Sequence, residues 1–192
     1  MIVEGLLTST DSDGTLNIAP MGPIVHGDFQ SFTLRPWAGS TTFQNLLQTQ
    51  RGVFHIVDSI TIIAEAAIRR LTSTPDTVAA EKIEGFVLDD CCRWFEFNIT
   101  AIDTTHERSE MTADVVHAGV RRPFRGFNRA RHAIIETAIL ATRLHIIARE
   151  EVTSAVKFLS PAVEKTGGKE ELAAFKILQD YIDNFYKEGP SA

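Results

Sequence analysis

The hydrophobic period of this chain changes once, near residue 120, and that change restricts the folds open to it. Upstream, apolar residues alternate in short runs punctuated by glycine, proline and aspartate, the pattern of half-buried strands joined by turns. Downstream they recur at three- and four-residue spacings, the pattern of amphipathic helices. Val3 to Thr8 reads as a strand, and Asp13-Gly14 as a hairpin turn into a second strand, Thr15 to Ala19. Pro20 and Pro23 end that strand, because neither can donate to a ladder. Phe29 to Arg35 alternates, with Phe32 and Leu34 on one face and Thr33 and Arg35 on the other. A short helix follows from Phe43 to Gln48, Gly52 breaks it, and Val53 to Val57 is a strand. Asp58 is placed to cap a second helix to about Arg70, and Ser73-Thr74-Pro75-Asp76 makes a turn. In Trp94 to Ile102, Phe95, Phe97, Ile99 and Ala101 point one way and Glu96, Asn98 and Thr100 the other. The turn Asp103 to Glu110 then leads to the strand Met111 to His117. Strands at this rhythm with short helices between them predict a closed or nearly closed β-barrel with helices, an α+β fold.

The remainder is helical. One long helix is expected from Asn128 to about Ala148, with Asn128 as N-cap after Gly126. Most of its circumference is apolar or small, against a narrow stripe of Arg129, His132, Glu136 and Arg143. A shorter helix runs from Glu150 to Leu159, and Gly167-Gly168 precedes a last one, Lys169 to Lys187. The expected division is a barrel over 1–120 and a helical appendage over 121–192, packed on the barrel or on a second copy.

Composition narrows the functions. A chain of 192 residues, 44% hydrophobic, buries a core large enough to fold without metal or disulfide. A net charge of −6 argues against a general nucleic-acid binder. No apolar run is long enough to span a bilayer, and the N-terminus has no basic leader, so the expectation is a cytoplasmic protein away from the membrane. Cys91 and Cys92 are adjacent, a poor geometry for a mutual disulfide, and read as reduced thiols.

The residues with the most chemistry lie between Asn17 and Val57. Ser40-Thr41-Thr42 puts three hydroxyls at the start of a helix, with Arg35 at a strand end five residues before Ser40. Helix N-terminal amides, hydroxyl donors and a planar guanidinium are together what a phosphate needs. The proline-bent segment Asn17-Ile18-Ala19-Pro20-Met21 can offer backbone amides to a flat heterocycle. Singly, each has a plainer role: Thr41 or Thr42 as helix cap, Asn45 as a solvated helix residue, Arg35 as a surface strand end. Taken in order, they suggest a phosphorylated planar cofactor.

These same residues resemble a known family. The segments Asn17 to Met21 and Ser40-Thr41-Thr42-Phe43-Gln44-Asn45-Leu46, followed by Val53 to Val57, look like the flavin reductase group of FMN-binding split barrels. With Pro123 to His132 added, the pattern resembles an uncharacterised family of that fold, a domain of unknown function, over about residues 1 to 187. The resemblance implies a six-stranded Greek-key split barrel, usually a homodimer, with FMN at the subunit interface. It places Ser40, Thr41 and Thr42 on the phosphate and the backbone of Asn17, Ile18, Ala19, Pro20 and Met21 along the isoalloxazine, with Asn45 in the same motif. Arg35 joins the cofactor set on physical grounds alone. The implied activity is an FMN-dependent oxidoreductase passing hydride or electrons to a small acceptor. No GxGxxG fingerprint is present, so a nicotinamide would be a transient substrate. The alternative is a flavin carrier or sensor without turnover.

Arg121, Arg122, Arg125, Arg129 and Arg131 crowd eleven residues, interleaved with Phe124 and Phe127. That segment could complete the phosphate pocket with Asn128 and Arg129, hold an anionic substrate, stack on single-stranded nucleic acid, or form a salt-bridged loop. His132 and Glu136, one turn apart, lack a third metal ligand. His26, His106, His117 and His145 form no cluster, and His55 sits in a strand as a core or barrel-mouth histidine.

Overall fold

The computed structural model describes residues 1–105 and 109–188; His106, in the expected Asp103–Glu110 turn, lies outside the described residues. The chain divides into two compact units, one of residues 1–57 and 75–124 and the other of 58–74 and 125–192.

The first unit begins with β1 (Gly5–Thr10) and β2 (Leu16–Met21), joined by the hairpin that Asp13-Gly14 announces. The Asp11 carboxylate accepts from the amides of Asp13 (3.0 Å) and Thr15 (2.8 Å). Gly14 supplies a positive φ of 81° that a side chain would strain. Next come β3 (Ile24–His26), β4 (Ser31–Leu34), α1 (Thr41–Thr49) and β5 (Arg51–Ile56). A small hairpin of β6 (Thr77–Ala79) and β7 (Phe86–Leu88) precedes the long pair β8 (Arg93–Asp103) and β9 (Glu110–Val120). The main sheet is antiparallel, in the order β2-β1-β5-β8-β9-β4-β3. It curls back on itself: Ile2, just ahead of β1, bridges Ile24 of β3. Val25 N also donates to the Met1 carbonyl at 2.8 Å.

The main sheet thus has seven strands where six were expected. The addition is β3, whose three residues between Pro23 and Gly27 are too few to show an alternating pattern. The strands of the β6–β7 hairpin are equally short and show no alternating pattern either.

Inside the curl lies a phenylalanine-rich core of Leu7, Phe32, Leu34, Phe43, Leu46, Phe54, Phe95, Phe97, Ile99, Met111 and Ala113. Phe32 is its hub, edge-on to Phe54 (5.5 Å), Phe95 (5.9 Å) and Phe97 (6.1 Å). The expected alternation of β8 holds through Phe95, Phe97 and Ile99 but fails at its flanks. Register shifts fall at Glu96/Phe97 and Ile99/Ala101, leaving Ala101 exposed and Glu96 fully buried. The buried Glu96 carboxylate is satisfied by the amides of Glu81 (2.9 Å) and Lys82 (2.7 Å) and by the Trp94 indole (3.3 Å). Three donors satisfy a polar group that would otherwise be costly to bury.

The second unit holds four helices: α2 (Ile60–Ala67), α3 (Arg129–Ala141), α4 (Arg149–Thr166) and α5 (Lys169–Glu188). Small residues Ala130, Ala133, Ala138 and Ala141 let neighbours approach α3, beside Ile134 and, on α5, Phe175, Leu178 and Ile182. Three expectations change here. The long helix ends at Ala141 rather than near Ala148; Thr142 turns its hydroxyl onto the Ile139 carbonyl (2.8 Å), and a series of turns follows. The next helix continues through Pro161 to Thr166, the proline forgoing one internal hydrogen bond without ending it. Asp58 does not cap α2, whose N-cap is Ser59; its Oδ2 accepts instead from the Arg125 amide at 2.9 Å. Burial alone would raise the Glu171 carboxyl, but Arg131 at 2.9 Å and the Gly168 amide hold it below the ordinary carboxylate range. No helix among the described residues is long and apolar enough to cross a membrane.

Candidate functional site

Two of the segments singled out in the sequence meet. The β1–β2 register sets Ser9 opposite Asn17, so their side chains share one face of the hairpin. Asn17 Nδ2 donates to Ser9 Oγ (3.3 Å) and reaches across to Thr42 Oγ1 (3.0 Å). Asn45 Nδ2 donates to the same Ser9 hydroxyl at 3.1 Å. Ser9, Thr42 and Asn45 are all buried, so this polar cluster fixes the first turns of α1 against β1 and β2.

The α1 N-terminus lies at the edge of that cluster. Ser40 is the N-cap, its Oγ accepting from the Phe43 amide at 3.1 Å. The amides of Thr41 and Thr42 precede that bond and have no acceptor further back in the helix. In their bonds among the described residues, the Ser40 and Thr42 hydroxyls act only as acceptors, and Thr41 is exposed. A hydroxyl carries one donor and two acceptor sites, so their O–H groups remain available to an anion. The first turn holds no acidic residue to repel one. Ile18, Ala19, Pro20 and Met21 continue β2 as the terminal strand of the sheet, half-buried. Every second residue of an edge strand directs its backbone N–H and C=O away from its partner, and Pro20 offers only a carbonyl.

Other expected members make different contacts. Arg35 is half-exposed just past β4, and its Nη2 pairs with Glu110 Oε1 at 2.8 Å. Asn128 belongs to the helical unit, and its side chain is taken up by capping. Its Oδ1 accepts from the amides of Ala130 (2.8 Å) and Arg131 (3.2 Å), and its Nδ2 donates to the Thr166 carbonyl (3.0 Å). Arg129, the first residue of α3, is exposed. Within the arginine-rich segment, Arg121 pairs with Asp89 (3.0 Å), Arg122 with Asp90 (2.7 Å) and Arg131 with Glu171 (2.9 Å). Those three pairings make much of the segment a salt-bridged one. His26 is exposed, 3.0 Å from Thr33 Oγ1, and His117 lies 3.5 Å from Glu81.

Sequence reasoning missed Ser9. The signal was available: Thr8-Ser9-Thr10 puts three hydroxyls in one strand, and the Asp13-Gly14 turn sets Ser9 opposite Asn17. Burial pushes the Cys91 thiol up to about 11, against the nearby Arg121. It is therefore expected to resist alkylation by iodoacetamide at neutral pH until the protein unfolds, which mass spectrometry of the labelled peptide would check.

The curled antiparallel sheet with α1 across one hairpin defines a split barrel, the architecture of a group of flavin-handling proteins. The chain is similar to an FMN-bound protein from Methanosarcina mazei, with a TM-score of 0.78 at 22% identity over 94% of each chain. The chain also resembles the 2-nitrobenzoate 2-nitroreductase of Pseudomonas fluorescens, with a TM-score of 0.54 at 18% identity, over 62% of this chain and 64% of that one. It also resembles the styrene monooxygenase flavin reductase of Pseudomonas putida, with a TM-score of 0.51 at 15% identity, over 62% and 80%. At such identities the likeness is one of fold. No curated protein matches in sequence. The chain belongs to the family described as protein of unknown function (DUF447): its N-terminal domain matches residues 3–122 and a second DUF447 domain matches residues 128–180.

Proposed function

We propose that the protein binds FMN and acts as a flavin-dependent oxidoreductase toward a small acceptor. The observation that carries this reading is the 3.0 Å bond from Asn17 to Thr42, which joins the expected ring-binding strand to the expected phosphate-binding helix start. The phosphate would meet the hydroxyls of Ser40 and Thr41 and the first amides of α1, with the buried Thr42 hydroxyl behind them. The ring would lie along the outer edge of β2 from Asn17 to Met21. There, backbone amides can hold the ring edge without any side-chain acid. Arg35 has further donors beyond the one that Glu110 occupies, and would add its charge to the phosphate. Bound FMN would supply the redox chemistry, accepting hydride or electrons and passing them on. The split-barrel relatives, one of them FMN-bound and another a flavin reductase, support the assignment.

A homodimer that completes the pocket belongs to the same reading. Trp37, mostly exposed just ahead of α1, is apolar surface for a second copy to cover. Light scattering at micromolar concentration is expected to give a dimer.

Titration with FMN, followed by flavin fluorescence, is expected to show saturable binding. Thr41→Ala removes an exposed hydroxyl and should weaken FMN by about tenfold to a hundredfold, the range of one charge-assisted hydrogen bond, while the melting temperature stays unchanged. Equal affinities in the two proteins would mean that Thr41 only starts a helix. Bleaching of the bound flavin by NADH or NADPH without oxygen is the outcome expected of an oxidoreductase. Persistence of the flavin band with both donors would leave a carrier or sensor.

A further inference from the structure

The turn between β3 and β4 is bent in an uncommon way. Gly27, Asp28 and Phe29 follow one another in the left-handed region, with φ of 54°, 53° and 66°. For a phenylalanine that conformation is strained, and it persists only where surrounding contacts hold it. What they hold is the Phe29 ring, stacked on Phe95 at 4.5 Å and an interplanar angle of 7°. Arg93 lies against both rings, its guanidinium carbon 5.3 Å from the Phe29 centroid and 4.9 Å from that of Phe95. Arg121 and Arg122 each have an aspartate. Among the described residues no carboxylate pairs with Arg93.

Arg93 also borders a cavity of about 320 Å³, walled by Ile56, Cys92, Val120, Pro123 and Phe124. These walls are apolar. Arg122, on the same cavity, is already committed to Asp90 and to the Cys92 sulfur at 3.3 Å. Among the described residues that line the cavity, Arg93 is therefore the charged group without a carboxylate partner, at the border of an almost wholly apolar wall and in contact with two aromatic rings.

We infer that this cavity binds a small aromatic carboxylate, its ring among Ile56, Val120 and Phe124 and its carboxylate on the Arg93 guanidinium. A guanidinium carries five N–H donors, and among the described residues no carboxylate holds those of Arg93, which leaves a fork for two parallel bonds to a carboxylate. The volume selects within that class. It lies at the small end of ligand pockets, which run from about 300 to 1,000 Å³, and so suits one ring better than a dinucleotide. An inorganic anion would leave the apolar walls unused, and a neutral hydrocarbon would leave Arg93 unused. The inference stands on unit-one residues outside the α1 site and does not depend on flavin binding.

Benzoate is the probe, with calorimetric titration or saturation-transfer NMR as the readout at neutral pH. Saturable binding of benzoate is expected, with benzamide, its uncharged isostere, at least about tenfold weaker. Arg93→Gln should lose about tenfold to a hundredfold in benzoate affinity. Val120→Trp, at an exposed position in the wall, should block binding while circular dichroism shows an intact fold. Thr41→Ala should leave benzoate affinity unchanged while weakening FMN, which separates failure of this site from failure of the flavin reading. Absence of saturable benzoate binding, equal affinity for benzamide, or an unchanged affinity in Arg93→Gln would each overturn the assignment.

Discussion

Phe32→Ala is expected to lower the stability of the barrel unit by about 3–5 kcal/mol, the usual cost of emptying a phenylalanine site in a packed core. Phe32 has no exposed surface and meets Phe29, Phe54, Phe95 and Phe97 edge-on within 6.3 Å. Those rings come from β5, β8 and the β3–β4 turn, so no single element can shift to refill the space. Edge-to-face contacts of this kind each add about 0.5–1.5 kcal/mol beyond burial, and truncation removes all four together. Phe32→Leu also loses the ring contacts but keeps most of the volume, and should cost less than the alanine variant. Both tryptophans, Trp37 and Trp94, lie in this unit, so their fluorescence during urea unfolding reports on it directly. The expected result is a large drop in midpoint for the alanine variant at an unchanged slope. A loss below about 1 kcal/mol would mean that Phe32 is not the hub of the core, since that is the scale of a surface substitution.

How far the sequence revealed this arrangement depended on whether local chemistry decided each feature. The β1–β2 hairpin was legible because Asp13-Gly14 and the Asp11 carboxylate act within five residues. The start of α1 was legible because Ser40 caps it through a bond to Phe43, three residues on. Features decided at long range were not. Glu96 looked like a solvent-facing residue of an alternating strand; its burial depends on the amides of Glu81 and Lys82 in a loop that has no period of its own. Asp58 looked like a helix cap because nothing nearby showed that Arg125, 67 residues on, would claim its carboxylate. Segment 58–74 reads in order as part of the β-rich stretch, yet its helix packs with α3 and α5. The site divides in the same way. Asn17 and Thr42 carry a pattern, whereas Ser9, which bonds both Asn17 and Asn45, is one hydroxyl among many until the register puts it opposite Asn17.

Acidification should destabilise the barrel through His55 before most carboxylates begin to titrate. Its imidazole is fully buried, with Nδ1 3.2 Å from the Leu6 carbonyl and Nε2 3.1 Å from the Leu88 amide. The Leu88 N–H must donate, so Nε2 is the acceptor and the proton sits on Nδ1, directed at Leu6. A second proton would have to displace the Leu88 amide in a site with no counter-ion among these contacts. Burial accordingly pushes the His55 pKa down from 6.5 to about 4, although the Leu6 carbonyl acts to raise it. A group whose folded-state pKa lies below its unfolded one takes up its proton first in the unfolded chain. The neutral imidazole thus contributes fully above about pH 6.5, and the contribution is lost as pH falls toward 4. The displacement corresponds to about 3 kcal/mol at ~1.4 kcal/mol per pH unit. His55→Gln keeps one donor and one acceptor on a side chain that does not titrate, so its stability profile between pH 7 and 4 should be flatter than that of the native protein by about that amount. Urea unfolding of both proteins at half-unit pH steps, read by tryptophan fluorescence, measures the difference. Parallel profiles would show that His55 titrates alike in the folded and unfolded chains, and that the bonds joining β1, β5 and β7 through its ring do not depend on its neutrality.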